Sequence, residues 1–184
     1  MEWGKQMEKH QENAKLSLYQ NTNYSFERRE RKTLILDVID NDASMGTTPL
    51  TTAANEFNIK LHEPLIIDKL SDIYLDSFVT FDSATNAVDR NAIAFILTIN
   101  EFNINSNSNV SNNFNNLIIP NETTTDNTAQ IHKGKKMNFV CSINPTKLHN
   151  ITGNITLLNK GAAFSESGKA RFIAEFVIVA RDKE

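Results

Sequence analysis

The residues best able to do chemistry are His10, His62, His132 and His149, the thiol of Cys141, and Asp68, Asp72 and Asp76 at intervals of four. A bound transition metal would need several such groups converging on it. No two histidines stand in an HxH or HExxH spacing, which would put both imidazoles on one face of a strand or helix. His62 adjoins Glu63, but neighbours on a strand point to opposite faces. The three aspartates would share a face only on a helix. Pro64 and the strand-like run at 72–82 argue against a helix there, so a turn around "IDKLSD" is expected. Ser44 lacks the G-x-S-x-G setting of a nucleophile elbow. "HKGKKMNF" sets Lys133, Lys135 and Lys136 around Gly134 without the spacing of a phosphate-binding loop. A solvated turn leading into a strand is expected there, rather than an anion-binding or polymer-binding patch. Cys141 alternates with Phe139 and Ile143 and reads as a buried small hydrophobe. No residue is assigned a catalytic, cofactor-binding or metal-binding role, and the chain is not expected to be an enzyme.

The elements around these residues are strands. "TLILDVID" (33–40) is rich in branched residues. In "EFNIKLHEPLIID" the side chains of Phe57, Ile59, Leu61, Leu65 and Ile67 share one face, with Asn58, Lys60 and His62 on the other. Pro64 has no N–H for a ladder, which predicts an edge segment or a bulge at that point. "DIYLDSFVTFD" (72–82) puts Ile73, Leu75, Val79 and Phe81 on one side, with Tyr74 and Phe78 on the other. "NAIAFILTINEFNI" (91–104) is apolar throughout, as a central strand would be. "NNLIIPN" (115–121) is short. "KMNFVCSINP" (136–145) aligns Met137, Phe139, Cys141 and Ile143. "NITGNITLLN" (150–159) aligns Ile151, Ile155 and Leu157. "KARFIAEFVIVARD" (169–182) is a long closing strand apolar on much of both faces. Each one-sided strand needs a second layer over its apolar face, and two facing antiparallel sheets supply it. Eight strands, a long final one and long connections near 41–55 and 121–135 predict an all-β antiparallel β-sandwich, a single jelly roll. A lipocalin-like barrel would favour shorter hairpins. The Asn- and Ser-rich tract from Asn103 to Gln130 belongs on the surface at one end of the sandwich, because burying it would strand backbone polar groups.

Residues 1–32 lie outside this pattern. "FERRERK" packs Arg28, Arg29, Arg31 and Lys32 around Glu27 and Glu30. Leu16, Leu18 and Tyr19 are too few to give a helix a buried face. This division predicts an extended N-terminal arm at 1–32, flexible until a partner orders it, and a jelly-roll domain at 33–184. Trp3, Leu16, Leu18 and Tyr19 are the candidate apolar anchors of such a contact, and Arg28, Arg29 and Arg31 its candidate ion-pairing groups.

The chain has 184 residues, enough for one domain and a substantial core. Its formal net charge of -3 gives no support to a nucleic-acid footprint. A single cysteine excludes an intramolecular disulfide and fits a reducing compartment. No apolar run reaches the roughly 20 residues of a spanning helix, and the first residues lack the apolar core of a signal peptide. Glycosylation tripeptides begin at Asn109, Asn121, Asn150 and Asn154. In so Asn- and Thr-rich a chain, chance matches are expected.

The polar arm, the segments "FNIKLHEPLIIDKLSDIYLDSFVTF", "MNFVCSINPTKLHNITGNI" and "ARFIAEFVIVARD", and the single cysteine together resemble viral capsid jelly rolls. More narrowly, the chain resembles the single jelly-roll minor capsid or penton proteins of large icosahedral double-stranded DNA viruses, over about residues 33–182. The resemblance implies a structural protein of the virion, assembled in the host cytoplasm or nucleus. It implies no cofactor, and partners that are copies of itself and other capsid proteins. Penton proteins form fivefold rings, and minor proteins cement larger capsomers. The alternative is a receptor- or carbohydrate-binding β-sandwich, including a TNF-like trimer. That class shows exposed aromatic platforms or an acidic ion site. A cupin-like enzyme would need a histidine-rich metal set.

Overall fold

The computed structural model describes residues 30–39, 55–84, 89–111, 115–121, 130–164 and 170–181, with backbone alone over 130–137. Among the described residues eight strands follow one another: β1 (Arg31–Ile39), β2 (Glu56–Ile67), β3 (Ser71–Phe81), β4 (Ala94–Ile99), β5 (Leu117–Pro120), β6 (Gln130–Ile143), β7 (Thr146–Leu157) and β8 (Arg171–Ala180). They form two four-stranded antiparallel sheets, ordered β1-β8-β3-β6 and β2-β7-β4-β5. The pairing has a simple logic. β1 lies against β8, β2 against β7, β3 against β6 and β4 against β5. The described strands thus form a long antiparallel ribbon folded back at β4–β5, which share a sheet, and rolled so that the strands before and after that fold alternate between sheets. That is the jelly roll expected from eight strands, a long final one and long connections.

The rolling is driven by the inner faces. Leu34, Leu36 and Val38 of β1 and Phe172, Ala174, Phe176 and Ile178 of β8 are buried at every second position. Phe57 of β2, Phe95, Leu97 and Ile99 of β4, and Ile151, Ile155 and Leu157 of β7 meet them from the other sheet. Rings bridge the layers. Phe57 meets Phe172 edge-on at 5.5 Å and Phe78 of β3 lies 5.9 Å from Phe95, while Phe78 also lies 5.9 Å from Phe172 within its own sheet. Such pairs add about 0.5–1.5 kcal/mol each beyond the area they bury.

β2 follows its sequence pattern. Phe57 and Ile67 are buried, Ile59, Leu61 and Leu65 pack on the core, and the strand is the edge of its sheet. Its register against β7 slips between Lys60 and Leu65, around Pro64. β4 is central, as its apolar run predicts, but shorter than 91–104. Arg90–Ile93 forms a 3-10 turn whose cap, Asp89, accepts the Asn91 N–H at 2.8 Å. Phe102 and Ile104 then pin the start of the Asn-rich tract to the core, Phe102 packing edge-on against Phe176. β6 begins at Gln130, so "HKGKKMNF" is strand and not the turn expected before one. β7 begins at Thr146, four residues before the expected start, and β1 takes in Arg31 and Lys32 from the expected arm.

Two faces are reversed from expectation. Opposite β8, β3 steps from Leu75 to Ser77 while its partner steps only from Phe176 to Glu175. Asp76 is the extra residue of a β-bulge, and everything beyond it changes face. Phe78 and Thr80 therefore point inward, and Val79 and Phe81 outward. In β6 the register passes from Cys141 to Phe139 while β3 advances one residue, from Ile73 to Tyr74. Val140 is the extra residue there, so Cys141 and Ile143 stay buried while Phe139 turns out.

Candidate assembly surface

The outer face of the β1-β8-β3-β6 sheet is where these reversals converge. Thr33, Val177, Tyr74 and Phe139 stand side by side across all four strands. Phe139 is 57% exposed and meets Tyr74 edge-on at 5.8 Å. Ile35 of β1 is 59% exposed and Phe81 of β3 is 45% exposed. Ile173 and Val79 are half-buried between them. Isolated surface hydrophobes need no explanation, but a set spread over one sheet face is a candidate contact surface.

Ion pairs close this face at both ends, and Glu175 lies in its middle, between Ile35 and Ser77. Arg171 grips both carboxylate oxygens of Asp37, its Nε donating at 2.8 Å. That bond raises the guanidinium's pKa above its ordinary value. Ser77 donates to Glu175 at 3.2 Å. At the far end Arg181 donates to Asp72 Oδ1 at 2.7 and 2.9 Å and to Ser142 Oγ at 2.6 Å. Exposed pairs of this kind contribute little stability each, but they fix which side chains lie flat.

Beside this face, between the edges of β1 and β2, runs an open groove of about 490 Å³. Thr33, Ile35, Leu61, His62, Pro64 and Ile66 are among its lining residues. Ile66 is 47% exposed. Lys32 crosses from one sheet to the other at the groove's end, donating to the Ile66 carbonyl at 2.6 Å and to Asp68 at 3.3 Å. Its bond to Glu30 is the largest influence raising its pKa. The cleft beneath that lysine holds only about 10 Å³, no more than a single water.

The groups singled out for chemistry are dispersed. His62 is exposed on the groove wall, His149 is exposed on β7, and His132 lies on β6. Asp68 pairs with Lys32 and Asp72 with Arg181, while Asp76 occupies the bulge. Among the described residues no three histidines, cysteines or acids could hold a metal ion together, and no helix is long and apolar enough to cross a membrane. Cys141 is buried, which pushes its thiol up to about 11. Asn121 is buried too, its amide nitrogen donating to the carbonyls of Ala84 at 3.0 Å and Ala92 at 2.8 Å. A glycan at that tripeptide is incompatible with this fold, whereas Asn109 and Asn150 are exposed.

Of the candidate contact residues, Arg31 opens β1 and is exposed. Trp3, Leu16, Leu18, Tyr19, Arg28 and Arg29, with the rest of the arm through residue 29, lie outside the described residues. Sequence reasoning missed Ile35, Phe81 and Phe139. A signal existed for the first, since "LILDVI" is apolar at both parities, which a strand with one wet face is not. Comparison with family models gives no match to this chain, and comparison with curated proteins gives none either.

Proposed function

We propose that this chain is a structural capsid protein, of penton or minor-capsid kind, that acts through subunit assembly. The observation that carries the proposal is the apolar outer face of one jelly-roll sheet, where Ile35, Phe81 and Phe139 stand exposed across three strands. A face kept dry by a neighbouring subunit accounts for those residues, and the flanking Arg171–Asp37 and Arg181–Asp72 pairs would form its polar rim. Cryo-electron microscopy of particles containing the full-length chain tests this. The expected density places a neighbouring subunit over Phe139. A chain absent from any particle, or a particle with this face open to solvent, would overturn it.

The second reading is a receptor- or carbohydrate-binding module, and the Tyr74–Phe139 pair favours it, because an exposed ring is a platform for a sugar face. Titration with a glycan panel separates the two. Saturable binding lost in Phe139→Ala, in a chain that does not self-associate, would establish the module and remove the assembly reading.

A further inference from the structure

Among the described residues the two sheets present four edges, and three of them are blunted. β2 carries Pro64 and a register slip. β5 is four residues long and ends in Pro120. β6 has two register slips against β3. Short strands, prolines, bulges and lysines are the devices that stop an edge from pairing with another chain. β1 differs. It runs nine residues in unbroken register with β8. Its centre, Thr33–Leu36, is uncharged. Its lysine is turned across to Ile66 and Asp68, and its aspartate is held by Arg171.

The phase of the ladder shows what β1 offers. The Ala180 N–H donates to the Glu30 carbonyl at 3.0 Å, so the even-numbered residues of β1 bond to β8. The odd-numbered residues, Arg31 through Ile39, therefore direct N–H and C=O toward the open edge. The groove between β1 and β2 leaves space beside them.

We infer that this edge pairs with β1 of a second copy of the chain, antiparallel across a twofold axis at Ile35. It rests on the assembly reading above and names one of its contacts. Centring on Ile35 overlaps all nine residues. Every odd-numbered residue then faces another odd-numbered residue and exchanges both main-chain bonds with it. On the outer face Ile35 covers its own symmetry mate, and Thr33 lies opposite Asp37, where its hydroxyl can donate to the carboxylate. The surface is self-complementary, as a twofold contact requires.

The test uses the full-length chain. Ile35→Cys introduces one accessible thiol, because the native Cys141 is buried. Under mild oxidation it should form a disulfide-linked dimer roughly tenfold or more faster than Ile66→Cys, a control of similar exposure, since pairing raises the local thiol concentration. Ile35→Pro removes a donor that faces only the open edge and leaves the β1–β8 ladder intact. Ile35→Lys sets two like charges on the axis. Both should lower the dimer fraction in sedimentation with an unchanged far-ultraviolet spectrum. If the proline variant unfolds, the lysine and cysteine variants decide the matter. An oligomer that survives Ile35→Lys, with cross-linking no faster at 35 than at 66, overturns the β1 contact and leaves the assembly reading standing. A monomer at every concentration overturns both.

Discussion

Single residues hold this fold at points where substitution has a definite sign. At Gly153 on β7 an added Cβ would lie 2.0 Å from the Thr98 carbonyl oxygen and 2.7 Å from the Phe57 ring. The Thr98 carbonyl is backbone of β4 and cannot yield without opening the β4–β7 ladder. Gly153→Ala should therefore cost about 3 kcal/mol, at the upper end of overpacking costs, read as a lower denaturation midpoint. Asn55 is buried at a positive φ of 48°, and its Oδ1 accepts the N–H groups of Ala163 at 2.8 Å and Phe164 at 3.2 Å. Asn55→Ala leaves two inward N–H groups without that acceptor and should cost roughly 2–4 kcal/mol. Cys141 adds a pH dependence. Its thiol is raised from about 9 when unfolded to about 11 when folded, chiefly by burial. The stability this contributes is complete below pH 9 and is lost as pH rises through 11, a loss of roughly 2–3 kcal/mol. Denaturation between those values should show a downward slope that is shallower in Cys141→Ala.

At the scale of elements, legibility in the sequence followed the continuity of the alternation. β2 was readable because Phe57, Ile59 and Leu61 alternate cleanly and Pro64 advertises the irregularity that follows. The inner face of β3 was not, because a bulge residue has no chemical signature. Asp76 resembles any exposed strand residue, and Phe78 and Val79 are equally plausible core residues until the register is known. Val140 hid Phe139 in the same way. The exposed aromatic part of the candidate surface was thus illegible for a structural reason: two single-residue slips decide it. Deleting Asp76 tests this directly. It would restore strict alternation and drive Phe78, now against Phe95 and Phe172, out of the core. A loss of at least about 3 kcal/mol is expected, comparable to truncating a core Phe, whereas Asp76→Ala, which keeps the bulge, should change stability by under about 1 kcal/mol.

At the scale of the whole molecule, the eight strands and their two layers followed from the count of one-sided runs, since each needs a cover. The strand order did not follow from the count; it appears only in the pairing of β1 with β8 through β4 with β5. Under the proposed function, this molecule works by contact with other subunits. The most direct measurement is the mass of the full-length chain in solution by sedimentation velocity over a wide concentration range. A mass that rises with concentration toward a defined oligomer, and falls back when Ile35 and Phe139 are replaced by lysine, is the predicted result. A single species of 20.7 kDa at every concentration, unchanged by those replacements, would contradict it.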